Sequence, residues 1–485
     1  MARDIHPELE KMFTCLLGDE RHHMLDTIGE KLPSHFRFNP IKGALEDQQN
    51  FFREQGFDFK AAVEGRDDIY ELTVAPYSVG RSLSHFLGHI YIQDIASMIP
   101  PIALDPQPGD WVLDMSAAPG SKTTQMASMM QNQGVILAND ISSKRLRALS
   151  YNLQRWGVVN TMLYRWYGEQ FGNGYFETFD RILVDPGCSG LGTLHKNPEV
   201  LGWWTPEHGD KLADSQRNQI ASAIKALRPG GVLTYSTCTV DPRENEGVID
   251  YALKNFPVEI EPLEVDGIRT WPGVAEYDGT TYHPDVVKTV RCYPLERMTE
   301  GFYIAKLRKT DGMREPDPNR RKSPREMNFH SHNSSEVKRS LKYLTEHFGI
   351  PKAAFKNYLY QPGRHIYFIG KGMQEFVFRG EPLQVGTKMA YRMDRGMKLS
   401  TEGCHLLGDL VEKAIIDLPD LATVEQFVNR HPIDTETEGR GQVLIRYNKC
   451  VIGYGIYEGT TIKSQFPKGD WQFSVTPKED LPSED

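Results

Sequence analysis

Trp111-Val-Leu-Asp-Met-Ser-Ala-Ala-Pro-Gly-Ser-Lys-Thr-Thr124 is the stretch whose reading decides the fold. The turn Pro108-Gly-Asp110 launches a short apolar run, Trp111 to Leu113, which ends on Asp114, passes through small residues and enters a helix-forming segment. That is a strand, a tight loop and a helix start. Small residues let backbone approach a ligand closely, and the free N–H groups of a helix start attract a carboxylate or phosphate. About twenty residues later, as nucleotide-binding sheets require, Val135-Ile-Leu-Ala-Asn-Asp140 ends in a second acid placed to hold ribose hydroxyls. The loop has only Gly120 where a dinucleotide fingerprint needs three glycines, and Ser121 separates Gly120 from Lys122 where a phosphate loop needs them adjacent. NAD and ATP fit poorly. A nucleoside with no pyrophosphate to cradle, such as S-adenosylmethionine, fits better.

Outward from this loop, strand and helix patterns alternate, which predicts an α/β fold with a doubly wound, Rossmann-like parallel sheet. A helix after Asp140 turns Leu146, Leu149, Leu153 and Trp156 inward, with Ser142 or Ser143 as its cap. Strands follow at Thr161–Trp166 and Phe179–Asp185. Thr205-Pro206-Glu207 starts a helix with Leu212, Ile220, Ile224 and Leu227 inward, stopping at Arg228–Gly231, and Val232–Thr239 is the next strand. Ligands sit beyond the carboxyl ends of such strands. Asp114, Asp140, Asp185 with Cys188, and Cys238 all fall there.

On the amino-terminal side, Leu32–Pro40 reads as a loop or edge strand because of its two prolines, and His85–Ile99 reads as a helix that caps the nucleotide domain and ends at the Pro100-Pro101 break. On the other side, Thr289–Lys309 reads as a hairpin that finishes the sheet, and Asp311–Arg325 as a proline-rich linker. Hairpins around Gly370–Gly372 and Asn448-Lys449 suggest a small β-barrel or sandwich, followed by a disordered acidic tail after Lys478.

A chain of 485 residues predicts about three domains. No apolar run approaches the ~20 residues of a membrane span, and the first residues lack a signal-peptide core, so a cytoplasmic protein with no membrane partner is expected. The six cysteines, at 15, 188, 238, 292, 404 and 450, stand singly without a Cys-x-x-Cys, against a structural zinc site and a disulfide frame; no metal is expected. The net charge of −9 hides basic patches: Lys306–Arg325 holds eight Lys/Arg against three Asp/Glu, and Lys388, Arg392, Arg395 and Lys398 surround Asp394. These either meet phosphates or form a solvated linker and surface.

Two thiols and an acid on one rim, beside a sulfonium donor, suggest a specific chemistry. Carbon 5 of a pyrimidine is a feeble nucleophile until a thiolate adds to carbon 6 and makes an enamine. Cys238 is the better nucleophile by position, since Ser236-Thr-Cys-Thr239 leaves its strand towards the pocket. Asp185 is placed to hydrogen-bond the ring, and Cys188 to remove the carbon 5 proton or expel Cys238. Lowered thiol pKa values, from Lys122 or a helix terminus, would help both.

Asp114-Met-Ser-Ala-Ala-Pro-Gly-Ser-Lys-Thr123, Asp185-Pro-Gly-Cys-Ser-Gly190 and Ser236-Thr-Cys-Thr239 followed by Glu244-Asn-Glu246 resemble the Nop/Sun (RsmB/RsmF-type) RNA 5-methylcytosine methyltransferases. Arg37-Phe-Asn39 resembles that family's Arg-x-Asn element, and Gln93-Asp94 with Ser97 its pre-loop helix, so the likeness covers about residues 30 to 310. The resemblance implies S-adenosylmethionine held by Ser116, Ala117, Ala118, Pro119, Gly120, Ser121 and Lys122, with Asp140 on the ribose and Asp185 also lining the cofactor site. It implies Cys238 as nucleophile, Cys188 as releasing thiol and Asp185 at the target base. It further implies a monomer acting on RNA, ribosomal favoured over transfer, free or in an assembled subunit. The implied division is an N-terminal RNA-binding and capping region (1–100), a methyltransferase domain (101–310), a basic linker (311–335) and a PUA-like RNA-binding region (336–478). Two positions depart from the family pattern. Gly187 replaces the proline before the first cysteine, and Tyr167 stands where the adenine-side aspartate is expected, either stacking on adenine or packing. Methylation of another base atom, and an inactive RNA-binding assembly factor with this fold, remain alternatives.

Overall fold

The computed structural model describes residues 5–63, 66–265, 267–296, 299–317, 323–393, 396–435 and 441–468. Arg395, Asp394 and the tail after Lys478 lie outside these described residues.

Five parallel strands form the centre. They are β1 (Trp111–Asp114), β2 (Val135–Asn139), β3 (Thr161–Tyr164), β4 (Phe179–Val184) and β5 (Leu227–Thr237), in the spatial order β5-β4-β1-β2-β3. Every residue of β2 and β3 is buried, as strands covered on both faces must be. Antiparallel strands Val290–Cys292 and β6 (Phe302–Lys309) extend the sheet beyond β5, with β6 alongside it. Helices α1 (Ile95–Leu104), α2 (Ser121–Met129), α3 (Ser143–Trp156) and α4 (Pro206–Ala226) cover the sheet, α2 and α3 packing on one face and α4 on the other. Ser142 caps α3 by accepting the Arg145 N–H, and Thr205 caps α4 by accepting that of His208. α4 ends earlier than the sequence suggests: β5 begins at Leu227, and Arg228–Gly231 bulges out between the Leu227 and Val232 pairings with β4.

Three expectations are overturned. His35–Phe38 is an inner strand of a four-stranded antiparallel sheet, between Tyr70–Val74 and Ile90–Ile92, because the two prolines flank the strand rather than interrupt it. The segment 85–99 is not one helix: Leu83–Leu87 is helical, Ile90–Ile92 is a strand, and α1 starts at Ile95 behind the Asp94 cap. Nor do Pro100 and Pro101 break α1, which continues to Leu104. Pro101 lacks the N–H that would reach the Ser97 carbonyl, and the Gln93 side chain supplies a donor there instead at 2.9 Å.

The carboxy-terminal module contains sheets of four and five strands. The hairpin at Asn448-Lys449 forms, both residues having positive φ. The one expected at Gly370–Gly372 does not. His365–Gly370 pairs with Tyr358–Pro362 and Thr387–Arg392, and the two glycines instead let this segment press against the central domain. A Cβ on Gly372 would lie 2.7 Å from the Gly134 carbonyl oxygen. Gln384–Val385 adds itself to the edge of β3, so the module completes the central sheet. Lys306 and Arg308 pair with Glu261, Lys309 with Glu177, and Arg325 with Glu381. Much of the basic run after 306 is therefore neutralised within the fold.

Candidate active site

The loop after β1 is shaped by its smallest residue. Gly120 has φ 109°, a conformation that strains any side chain, and a Cβ there would also crowd the Leu149 Cδ1 of α3 at 3.0 Å. The segment 116–122 thereby folds tightly between β1 and α2. Asp114, at the end of β1, accepts a hydrogen bond from Thr123 at 2.7 Å, which fixes the first turn of α2. Burial pushes its carboxyl up to about 7 despite that bond. From the amino-terminal region, Arg37 donates to the Ser121 carbonyl (2.7 Å) and to Thr124 Oγ1 (2.6 Å). Its guanidinium lies over the Trp156 ring, and Asn39 donates to the Gly88 and Trp156 carbonyls. The Arg-x-Asn pair thus ties α2 and α3 to the amino-terminal four-stranded sheet.

Asp140, buried at the end of β2, accepts the Ser142 N–H through Oδ1 at 2.8 Å. Its Oδ2 has no hydrogen-bond partner among the described residues and only the half-exposed Arg145 guanidinium at 3.3 Å. A buried carboxylate oxygen left over in this way needs donors, which a pair of ribose hydroxyls would supply; the site fits S-adenosylmethionine. Tyr167 is 64% exposed, so its ring is not packed into the core.

On the other side of the rim, Asp185 is held by two donors, Lys122 Nζ and Ser236 Oγ, each at 2.8 Å. Burial works against the Lys122 charge, but the Asp185 carboxylate outweighs it and the ammonium persists. Lys196 is held charged in the same way by Glu300 at 2.6 Å, and both lysines act electrostatically on Cys238.

The two cysteines meet. Cys188 Sγ lies 3.2 Å from Cys238 Sγ, although the residues are 50 apart in sequence. Their loops are laced together: Gly192 N–H donates to the Cys238 carbonyl at 2.9 Å, and the Ser189 and Thr239 hydroxyls share a 2.7 Å bond. The expectation of lowered thiol pKa values fails for Cys188. Its contact with Cys238, together with burial, pushes it well above the ordinary thiol range. Gly187 is exposed with open space where a Cβ would stand. The loop's shape comes from Gln216 of α4, which donates to the Gly187 carbonyl at 3.0 Å, and from Glu244, which accepts the Ser189 N–H at 3.0 Å.

Gln216 and Glu244 were given no role by the sequence reading. A signal for Gln216 was present: it lies four residues from both Leu212 and Ile220, a polar residue on an inward helix face.

Residues 101–308 match a family model described as 16S rRNA methyltransferase RsmB/F. Over 445 residues the chain is 33% identical to the ribosomal RNA small subunit methyltransferase F of Aeromonas salmonicida, covering 89% of each chain. It is 38% identical over 313 residues to the tRNA (cytosine(49)-C(5))-methyltransferase of Pyrococcus abyssi, covering 63% of this chain and 99% of that relative. Among solved structures, a methyltransferase homolog from Pyrococcus horikoshii has a TM-score of 0.56 at 35% identity, covering 63% of this chain and 96% of that one. With the relatives matched nearly end to end and the rim built as described, the chain belongs to the RsmB/F family of S-adenosylmethionine-dependent RNA methyltransferases.

Proposed function

We propose that the protein methylates ring carbon 5 of a cytosine in ribosomal RNA through a covalent adduct on Cys238. The observation that carries this reading is the 3.2 Å contact between Cys188 and Cys238 beside Asp185. The target base must leave its stack to reach the rim. Asp185, oriented by Lys122 and Ser236, hydrogen-bonds the ring while the Cys238 thiolate adds to carbon 6. Bound S-adenosylmethionine, held by residues 116 to 122, Asp140 and Asp185 with Tyr167 against the adenine, supplies the methyl group. Cys188 then takes the carbon 5 proton as the bond from Cys238 to carbon 6 breaks.

Ribosomal RNA is favoured because the small-subunit methyltransferase matches 89% of this chain, the carboxy-terminal module included, whereas the tRNA enzyme matches 63%. That module offers a surface suited to RNA. His365, Tyr391 and Lys398 stand side by side across three strands, with the Lys388 ammonium 5.2 Å from the Tyr391 ring centre and Lys398 4.8 Å from that of Tyr454. Cations interleaved with rings suit phosphates and stacked bases.

Cys238→Ala should abolish methylation, and Cys188→Ala should accumulate a denaturation-resistant RNA adduct on gels. A Cys238→Ala enzyme that methylates at the parental rate would sink the proposal. Bisulfite sequencing of total RNA with and without the protein identifies the cytosine, and a site confined to transfer RNA would overturn the ribosomal assignment.

A further inference from the structure

Cys188 has two duties in this cycle, and they conflict over one proton. At rest the Cys238 contact and burial both oppose its ionisation. Once Cys238 is bonded to carbon 6, Cys188 must shed that proton before it can accept another from carbon 5.

The titratable group that holds its loop, and acts electrostatically on it, is Glu244. One carboxylate oxygen, Oε2, accepts the Ser189 N–H at 3.0 Å and the Gln216 Nε2–H at 2.9 Å, while the same Gln216 nitrogen holds the Gly187 carbonyl. The backbone on both sides of Cys188 is therefore gripped from one place. The other oxygen, Oε1, is buried with no hydrogen-bond partner among the described residues. Glu244 faces Tyr235 from β5, Cys188 from the opposite loop and Asp241 from its own, and the nearby Arg243 is bonded to Asp241. Burial first, then Asp241, moves the carboxyl up to about 7, which makes it a base of useful strength near neutral pH.

We infer that Glu244, held by Gln216, is the positioning residue that receives the Cys188 proton and so arms the releasing thiol. This rests on the covalent mechanism proposed above. The S–H bond of Cys188 breaks and its proton passes to the free oxygen of Glu244, leaving a thiolate. That thiolate takes the carbon 5 proton, the bond between carbon 6 and Cys238 Sγ breaks, and its electron pair returns to Cys238. The Glu244 acid then loses its proton to water, so one proton leaves the site for each methyl group added.

The test is single-turnover methylation with labelled S-adenosylmethionine and substrate RNA, resolving adduct from released product. Glu244→Gln keeps the size and the acceptor for Ser189 but cannot take the proton. It should transfer the methyl group at the parental rate, release product about 100-fold more slowly and trap the adduct, with Glu244→Asp restoring part of the release. The parent's release rate should rise with pH through about 7, and Glu244→Gln should lack that inflection. Parental release by Glu244→Gln with an unchanged pH profile overturns the inference, as does a variant that melts normally yet forms no adduct. If Glu244→Gln does not fold, the parent decides: release that is flat from about pH 6 to about pH 9 overturns it. Absence of an adduct in Cys188→Ala instead overturns the covalent reading, and this inference with it.

Discussion

Asp140 and Asp185 are both rim carboxylates, yet their surroundings assign them different work. Asp185 has a donor on each oxygen, which fixes the plane of its carboxylate. Asp140 has one oxygen without a hydrogen-bond partner among the described residues and a half-exposed arginine beside it. Hydrogen bonds to a charged group contribute about 1.5–3 kcal/mol. Asp140→Ala should therefore weaken S-adenosylmethionine binding about 10- to 100-fold by calorimetry while leaving RNA affinity unchanged; an unaltered affinity for S-adenosylmethionine would remove Asp140 from the ribose. Both acids were legible in sequence, because a carboxylate at the end of a buried strand has one place to point. Glu244 was quoted only as part of a motif, since its partners Ser189 and Gln216 come from distant segments.

At the scale of elements, α1 shows how a helix survives two internal prolines. Gln93 serves the Ser97 carbonyl that Pro101 leaves without its helical donor, and Gln125 ties α2 to the same helix by donating to the Met98 carbonyl at 2.9 Å. Gln93 also accepts from Arg37 at 3.1 Å, which makes it a joint between three elements. An unsatisfied buried carbonyl costs about 1–3 kcal/mol. Gln93→Ala should lower the urea midpoint more than Gln125→Ala does, since it removes the Arg37 contact as well; equal effects would mean that the joint carries no stability. Capping at Ser142 and Thr205 and the turn at Asn448-Lys449 were readable because each depends on a few neighbouring residues. The glycines at 370 and 372 were not, because a close approach between domains leaves the same mark in sequence as a turn.

For the molecule as a whole, the carboxy-terminal module is built into the central sheet. Its strand Gln384–Val385 covers the edge of β3, and Trp111 and Phe179 of the central domain touch the ring of Phe376. An exposed edge strand invites aggregation. A chain cut after residue 311 should therefore be far less soluble than the full chain in a sedimentation assay. If the fragment stays monodisperse and binds S-adenosylmethionine with parental affinity, the module's role is confined to RNA.

The sequence by itself determined the alternation of strand and helix, the caps, the strand ends and the residue types on them, because periodicity and capping are local and catalytic chemistry falls where strands stop. Tertiary structure alone decided that two sulfurs 50 residues apart lie at 3.2 Å, that a glutamine repairs a proline-bearing helix and that one oxygen of Glu244 finds no hydrogen-bond partner among the described residues. Those outcomes depend on which atoms are shut away from water and which distant donors reach them, and packing sets both.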